Sequence, residues 1–108
     1  MHLEIDTPDK NLLLDLIGKS SFPSAGEAIS APRGVSLVYQ GMIRRKGLDF
    51  PTTLQFIVEH LDDAVTGLFV AWLYDKLKGR AQTLRGNGHE IQLSLDALKR
   101  IFERHENK

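Results

Sequence analysis

The chain lacks cysteine and carries no net charge, and each absence removes a class of function. Its 108 residues include no Cys, 14 Lys and Arg, and 14 Asp and Glu. Without thiols there is no disulfide framework, no thiolate metal site and no cysteine nucleophile, which fits a reducing compartment. We therefore expect a cytoplasmic protein. Because the charges balance, no global attraction to nucleic acid or to an acidic partner is expected.

Long apolar runs are absent as well. The longest one, near residues 64–74, is too short to span a bilayer and directly follows Asp62 and Asp63. The N-terminus has no basic region followed by an apolar segment, so no signal peptide is expected. These features predict a soluble protein with no membrane association.

Motifs for catalysis are missing too. No two of the four histidines stand four residues apart, and His60, near Glu59 and Asp63, is only a weak candidate for a metal or acid–base site. The sequence contains no phosphate loop, no G-x-G-x-x-G and no G-x-S-x-G. We therefore predict that the protein is not an enzyme and uses no cofactor, no metal and no small-molecule substrate.

What the sequence does contain is the pattern of one small α+β domain. The first five residues alternate between apolar and polar, as in a strand. A first helix, capped by Asp6 or Thr7, is predicted to end at Gly18. A second strand is predicted within residues 34–46, with Gly41 as a candidate bulge.

The C-terminal third predicts a β-hairpin followed by a helix. Gly86-Asn87-Gly88 is a strong turn signal between strands at residues 80–85 and 89–93, and Ser94 can cap the last helix. Leu95, Leu98, Ile101 and Phe102 are predicted to face inward. With a long central helix, the predicted order is β-α-β-α-β-β-α. About four strands are then backed by one long and two shorter helices, in a single domain over residues 1–108.

The long helix is predicted to begin at Asp49 or Thr52 and to end near Lys78. Apolar residues recur there at steps of three and four, which predicts a continuous core face. The members of this stripe are Leu54, Ile57, Val58, Leu61, Val65, Leu68 and Trp72.

The second half of this helix is apolar on another side as well. Val70, Tyr74 and Leu77 lie roughly opposite the predicted core face. Either the loop at residues 20–33 covers them, or they bind a protein partner or a second copy of the chain. We predict Val70, Tyr74 and Leu77 as partner-binding residues.

Basic residues offer a second interpretation, a nucleic-acid interface. Tyr39 could stack a base beside positive charges at the ends of strands. The candidate nucleic-acid-binding residues are Arg44, Arg45, Lys46, Arg80 and Arg85.

The second half of the chain also resembles a known family. Ala71-Trp72-Leu73 and Lys76-Leu77-Lys78 are followed by the Gly86-Asn87-Gly88 hairpin and a helix at residues 95–102. Over residues 50–104 this order resembles the small effector-associated constant component domains of bacterial conflict and immunity systems. The resemblance implies a non-catalytic accessory or adaptor domain in a defence system, which links a sensor or protease-like component to an effector. A small phage or bacterial inhibitor or immunity protein is a related alternative.

Overall fold

The computed structural model describes residues 1–9, 11–18, 22–31, 34–44, 51–59 and 61–106. Within these residues it contains six strands and three helices, so the α+β prediction is confirmed. The sheet has six antiparallel strands instead of about four. The elements are β1 (His2–Thr7), α1 (Leu12–Ile17), β2 (Ala28–Ser30), β3 (Ser36–Ile43), β4 (Thr52–Glu59), α2 (Asp63–Leu77), β5 (Thr83–Gly86), β6 (His89–Ile91) and α3 (Leu95–Glu106).

The strand order in the sheet is β2-β3-β4-β1-β5-β6, which places β1 and β4 at the centre. In the register of the pairs, Ile5 of β1 lies between Leu54 of β4 and Leu84 of β5. Successive side chains of a strand point to opposite faces, so these three residues share one face. All three are buried there in the core.

The assignment of residues 52–59 to the long helix is wrong, because they form β4. Leu54, Phe56 and Val58 are buried at a spacing of two, whereas Gln55 and Ile57 point to the other face. Two threonines, an isoleucine, a valine and a phenylalanine also favour a strand. The long helix is therefore only the fifteen residues of α2, which follow Asp62.

The core lies between one face of the sheet and the helices. Leu12, Leu13 and Leu16 of α1 belong to the same buried cluster as the inward residues of the strands. Phe69 of α2 and Phe102 of α3 meet edge to face, with ring centroids 5.2 Å apart. The opposite face of the sheet carries mostly polar side chains. This face and the outer surface of the helices are the parts of the fold that are open to a partner.

Several local predictions are confirmed. Gly18 ends α1 with a φ of 67° and donates its N–H to the carbonyl of Leu14. The pairing shifts at Gly41, as in a bulge. Asn87 and Gly88 both have positive φ, 50° and 84°, which is the geometry of a two-residue hairpin turn.

The helix starts were predicted less well. Asn11 occupies the N-cap position of α1 without a capping hydrogen bond from its side chain, while Asp6 and Thr7 are buried residues of β1 and do not cap the helix. Ser94 does cap α3, since its Oγ accepts the N–H of Ala97 at 3.2 Å. Leu95, predicted to face inward, is exposed. Among the described residues, no helix has both the length and the apolar character needed to cross a membrane.

Candidate interaction surfaces

The predicted partner-binding residues of α2 do not form an exposed surface. Val70 is 3% exposed and Leu77 is 0% exposed, both in the core, and Tyr74 is half-buried against it. Conversely, Leu68 was predicted as core and is 50% exposed. The core face of α2 is thus rotated relative to the prediction, because the predicted stripe took its direction from residues that belong to β4.

The surface of α2 that points away from the core is apolar. Ala64, Gly67, Leu68 and Ala71 are all exposed and lie on one side of the helix, at spacings of three and four. Trp72 is half-buried beside them. We call the four exposed residues the outer face of α2. Residues 64–74 contain no charged side chain, so this face is apolar over more than two turns.

Other exposed large apolar side chains lie on other elements. Phe22 lies in the segment before β2, Ile43 ends β3, and Leu95 begins α3 with an exposure of 48%. Single apolar residues of this kind are normal on protein surfaces. The outer face of α2 differs because its exposed apolar residue, Leu68, has apolar or small neighbours on every adjacent turn.

Arg80 is held in an ion cluster between α1 and the start of β5. Its guanidinium donates from Nε to Asp9 and lies 2.7 Å, at Nη1, from Asp15. The pKa of the Asp9 carboxyl is lowered, first by the hydrogen bond from Arg80 and then by the backbone N–H of Asn11. The same hydrogen bond, which Arg80 donates to Asp9, is the main reason why the pKa of Arg80 is raised. Arg80 therefore stabilises the fold by joining segments that are distant in sequence.

Arg85 is held in a second ion cluster, on the polar face of the sheet. It donates from Nη1 and Nη2 to the two carboxylate oxygens of Asp6, at 2.7 and 2.9 Å. Its Nε lies 3.4 Å from Glu4. Asp6 is only 8% exposed. The bidentate hydrogen bonds that Arg85 donates to Asp6 are the largest cause of the raised pKa of Arg85.

Two residues of β4 complete this arrangement. Thr53 donates its hydroxyl to Asp6 at 2.6 Å, and Gln55 donates its amide to Glu4 at 3.3 Å. We call these five residues of β1, β4 and β5 the polar network: Glu4, Asp6, Thr53, Gln55 and Arg85. Within the described part of the chain, no buried side-chain nitrogen or oxygen lacks a hydrogen-bond partner. Of these five, only Arg85 was predicted from the sequence as a binding residue, and Asp6 was predicted as a possible helix cap. Alternation along β1 marks Glu4 and Asp6 as sharing a face, but it gives no sign of their partners.

The predicted nucleic-acid-binding residues are not gathered on one surface in the described structure. Arg80 and Arg85 each contact two carboxylates, in two separate clusters. Arg44 is exposed after β3, where its Nε lies 3.3 Å from the sulfur of Met42. Arg45 and Lys46 lie outside the described residues.

A shallow depression of about 620 Å³ lies beside the polar network. Its polar lining comes from β1, β3, β4 and the turn between β5 and β6. We call it the polar depression. Its polar side chains are those of His2, Glu4, Gln40, Gln55 and Asn87.

No metal centre is found in the part of the chain that the structure describes, since nowhere there do three His, Asp or Glu residues come together in a way that could hold an ion. His2 and His89 are exposed on the sheet. His60, the weak candidate from the sequence, lies outside the described residues.

Comparisons with known proteins identify no relative. No known protein family, curated protein or solved structure matches this chain. The resemblance to effector-associated constant component domains therefore stays a prediction.

Proposed function

We propose that this chain is a non-catalytic protein-interaction domain whose outer face of α2 binds another protein. The observation that carries the proposal is the half-exposed side chain of Leu68, at the middle of a helix surface that has no charge from residue 64 to residue 74. A helix on the surface of a soluble domain normally places charged or polar residues on the side away from the core. α2 has apolar residues on both sides.

A partner that covers this surface would bury apolar side chains, as stable contacts between proteins do. Ala64, Gly67 and Ala71 are small, so another backbone can come close to the helix axis, and Leu68 would fill a pocket of the partner. Half-buried Trp72, whose ring lies 6.0 Å from that of Phe69, extends the apolar surface. Apolar side chains at the centre of a contact, with polar residues around it, are typical of protein interfaces.

The position of the surface leaves the fold independent of the partner. The core side of α2, including Phe69 and Leu73, is fully buried without it. Such an arrangement suits an accessory or adaptor domain of the kind that the resemblance implies, in a bacterial defence system. It suits an inhibitor or immunity protein equally.

Nucleic-acid binding receives less support than protein binding. Phosphate contacts need lysine or arginine side chains that are free to approach the backbone of the nucleic acid. Arg80 and Arg85 each form ion pairs within the domain, and Arg44 is the other described member of the predicted set.

The test is affinity capture with matched surface variants. Tagged wild-type protein, Leu68→Lys and Leu95→Lys would be incubated with nuclease-treated lysate of the source organism, and bound proteins quantified by mass spectrometry. Both leucines are about half exposed, at 50% and 48%, and they lie on different helices. We expect at least one protein to bind wild type and Leu95→Lys in stoichiometric amount and to be lost from Leu68→Lys.

Self-association is measured in parallel by light scattering of the purified proteins. A dimer that is lost in Leu68→Lys and kept in Leu95→Lys would make the partner a second copy of the chain. If the captured proteins and the molar mass are the same for all three proteins, the outer face of α2 is not an interaction surface.

A further inference from the structure

The polar depression is lined by side chains that bind through hydrogen bonds. Gln40, Gln55 and Asn87 each carry a primary amide, a group with both a donor and an acceptor. Asn87 Oδ1 already accepts the backbone N–H of His2 at 2.9 Å, and Gln55 Nε2 donates to Glu4 at 3.3 Å. His2 and Glu4 add an imidazole and a carboxylate. The described lining contains no lysine or arginine. A surface of this kind can bind the N–H and C=O groups of an extended backbone.

The charge in the depression comes from Glu4. Arg85 is the nearest cation to it, but the guanidinium gives its two short hydrogen bonds, 2.7 and 2.9 Å, to Asp6. From Arg85, Glu4 receives only the longer Nε contact of 3.4 Å, and the neutral amide of Gln55 donates to its other oxygen at 3.3 Å. Asp6 thus balances most of the positive charge of Arg85, and the carboxylate of Glu4 leaves the floor of the depression negative.

A second carboxylate lies on the same face. Glu90 of β6 is paired in register with Arg85 of β5, so both side chains point to the face that carries Glu4. Glu90 is exposed. A cationic side chain that approaches Glu4 therefore meets a second carboxylate on the same face and no lysine or arginine in the described lining.

We propose that the polar depression binds an extended, basic segment of a partner protein, with a lysine or arginine side chain paired to Glu4. The amide nitrogen of Asn87, the amide oxygen of Gln55 and the amide of Gln40 would hydrogen-bond the backbone of that segment, while Asn87 Oδ1 and Gln55 Nε2 keep their bonds to His2 and Glu4. A depression of about 620 Å³ has room for several residues of an extended chain and is larger than a single ammonium group needs. This site lies on the sheet, away from the helices, so it does not depend on the role proposed for the outer face of α2.

The experiment uses a fluorescent eight-residue peptide of alternating Lys and Ser. Its binding is followed by polarisation, and the site is mapped by amide NMR shifts of the full chain. Spermine and a peptide of alternating Glu and Ser serve as competing probes. We expect binding of the basic peptide alone, with shifts at the side-chain amides of Gln40, Gln55 and Asn87. Glu4→Gln should weaken it about tenfold, since a charge-assisted hydrogen bond is lost.

Two further variants make the result specific. Gln40→Arg places a positive charge in the lining without touching the polar network, so it should also weaken binding even if Glu4→Gln folds poorly. Asp96→Asn removes one negative charge on α3 and should leave binding unchanged.

Three results would overturn the proposal. One is an equal loss in Asp96→Asn, which would mean binding by overall charge. Another is binding of spermine as tight as that of the peptide, which would mean a site for small cations. The third is the absence of shifts at the depression.

Discussion

On one face of β1, β4 and β5 most side chains are apolar and buried, and on the other face most are charged or polar and several are hydrogen-bonded to one another. Leu3, Ile5 and Phe56 represent the first face, each at 0% exposure. Glu4, Asp6 and Arg85 represent the second. The same strands build both faces, because successive residues of a strand point in opposite directions.

The two faces stabilise the domain by different physical means. Apolar burial is roughly proportional to area and needs no special geometry. The polar network instead depends on geometry, since hydrogen bonds from groups such as Arg85 and Thr53 offset the cost of taking the Asp6 carboxylate out of water. Loss of a core side chain should therefore cost free energy of packing, whereas loss of one member of the network leaves another member without its partner.

The largest effect is expected on the apolar face. Phe56→Ala removes a fully buried ring that lies 5.7 Å from the ring of Tyr39. We expect it to lower the free energy of unfolding by about 3–5 kcal/mol, measured by urea denaturation. Gln55→Ala changes the neighbouring residue on the other face, where one 3.3 Å hydrogen bond is lost. It should cost about 1 kcal/mol. Equal losses in the two variants would contradict the proposed difference between the faces.

A smaller effect is expected from Arg85→Met. This change leaves the nearly buried carboxylate of Asp6 without its bidentate partner. The expected loss is about 2 kcal/mol, less than for a fully buried pair because the Arg85 side chain is 22% exposed. Adding Asp6→Asn removes the nearly buried negative charge and keeps an acceptor for Thr53. The double variant should therefore be more stable than Arg85→Met alone. If its free energy of unfolding is lower still, the fold tolerates the Asp6 carboxylate without Arg85.

The local part of the fold could be predicted from the sequence because its signals lie within a few residues. The turn at Asn87 and Gly88, the left-handed Gly18 and the cap at Ser94 each depend on neighbouring backbone. Residues were predicted poorly where their hydrogen-bond partners are distant in the sequence. Asp6 and Arg85 are separated by 79 positions, and no spacing rule connects them.

The error in β4 has a similar cause. Leu54, Ile57, Val58 and Leu61 fit helical spacing, while Leu54, Phe56 and Val58 fit the spacing of a strand. Pairing of β4 with β1 and β3 decides between them, and this pairing is invisible in the local sequence. The wrong choice then shifted the predicted core face of α2, and with it the candidate partner-binding residues.

A weaker contribution is expected from the ion cluster of Arg80, and it depends on pH. Because the folded pKa of Asp9 lies below its usual value of about 4, chiefly through the hydrogen bond from Arg80, the ionised form stabilises the fold. This stabilisation is present above the unfolded pKa and is lost as the pH falls through the lower folded pKa. Asp9→Asn should therefore lower the melting temperature near pH 7, by an amount that shrinks below about pH 4. In an Arg80→Gln background the same substitution should have much less effect, and an unchanged difference there would assign the pKa shift to another cause.

The smallest effect on stability is expected for substitution of Leu68. Its comparison with substitution of Val70 tests the difference between the two sides of α2. Residues two positions apart on a helix point about 200° apart, so Leu68 and the buried Val70 face nearly opposite directions. Leu68→Lys should change the free energy of unfolding by less than about 0.5 kcal/mol, whereas Val70→Lys should prevent folding because it buries an unpaired charge. Circular dichroism and urea denaturation of the two proteins decide the matter. If Leu68→Lys unfolds the domain, its side chain contributes to the core and is not available to a partner. If it leaves stability intact, selection for folding alone does not explain a leucine at this position, and the outer face of α2 requires another function.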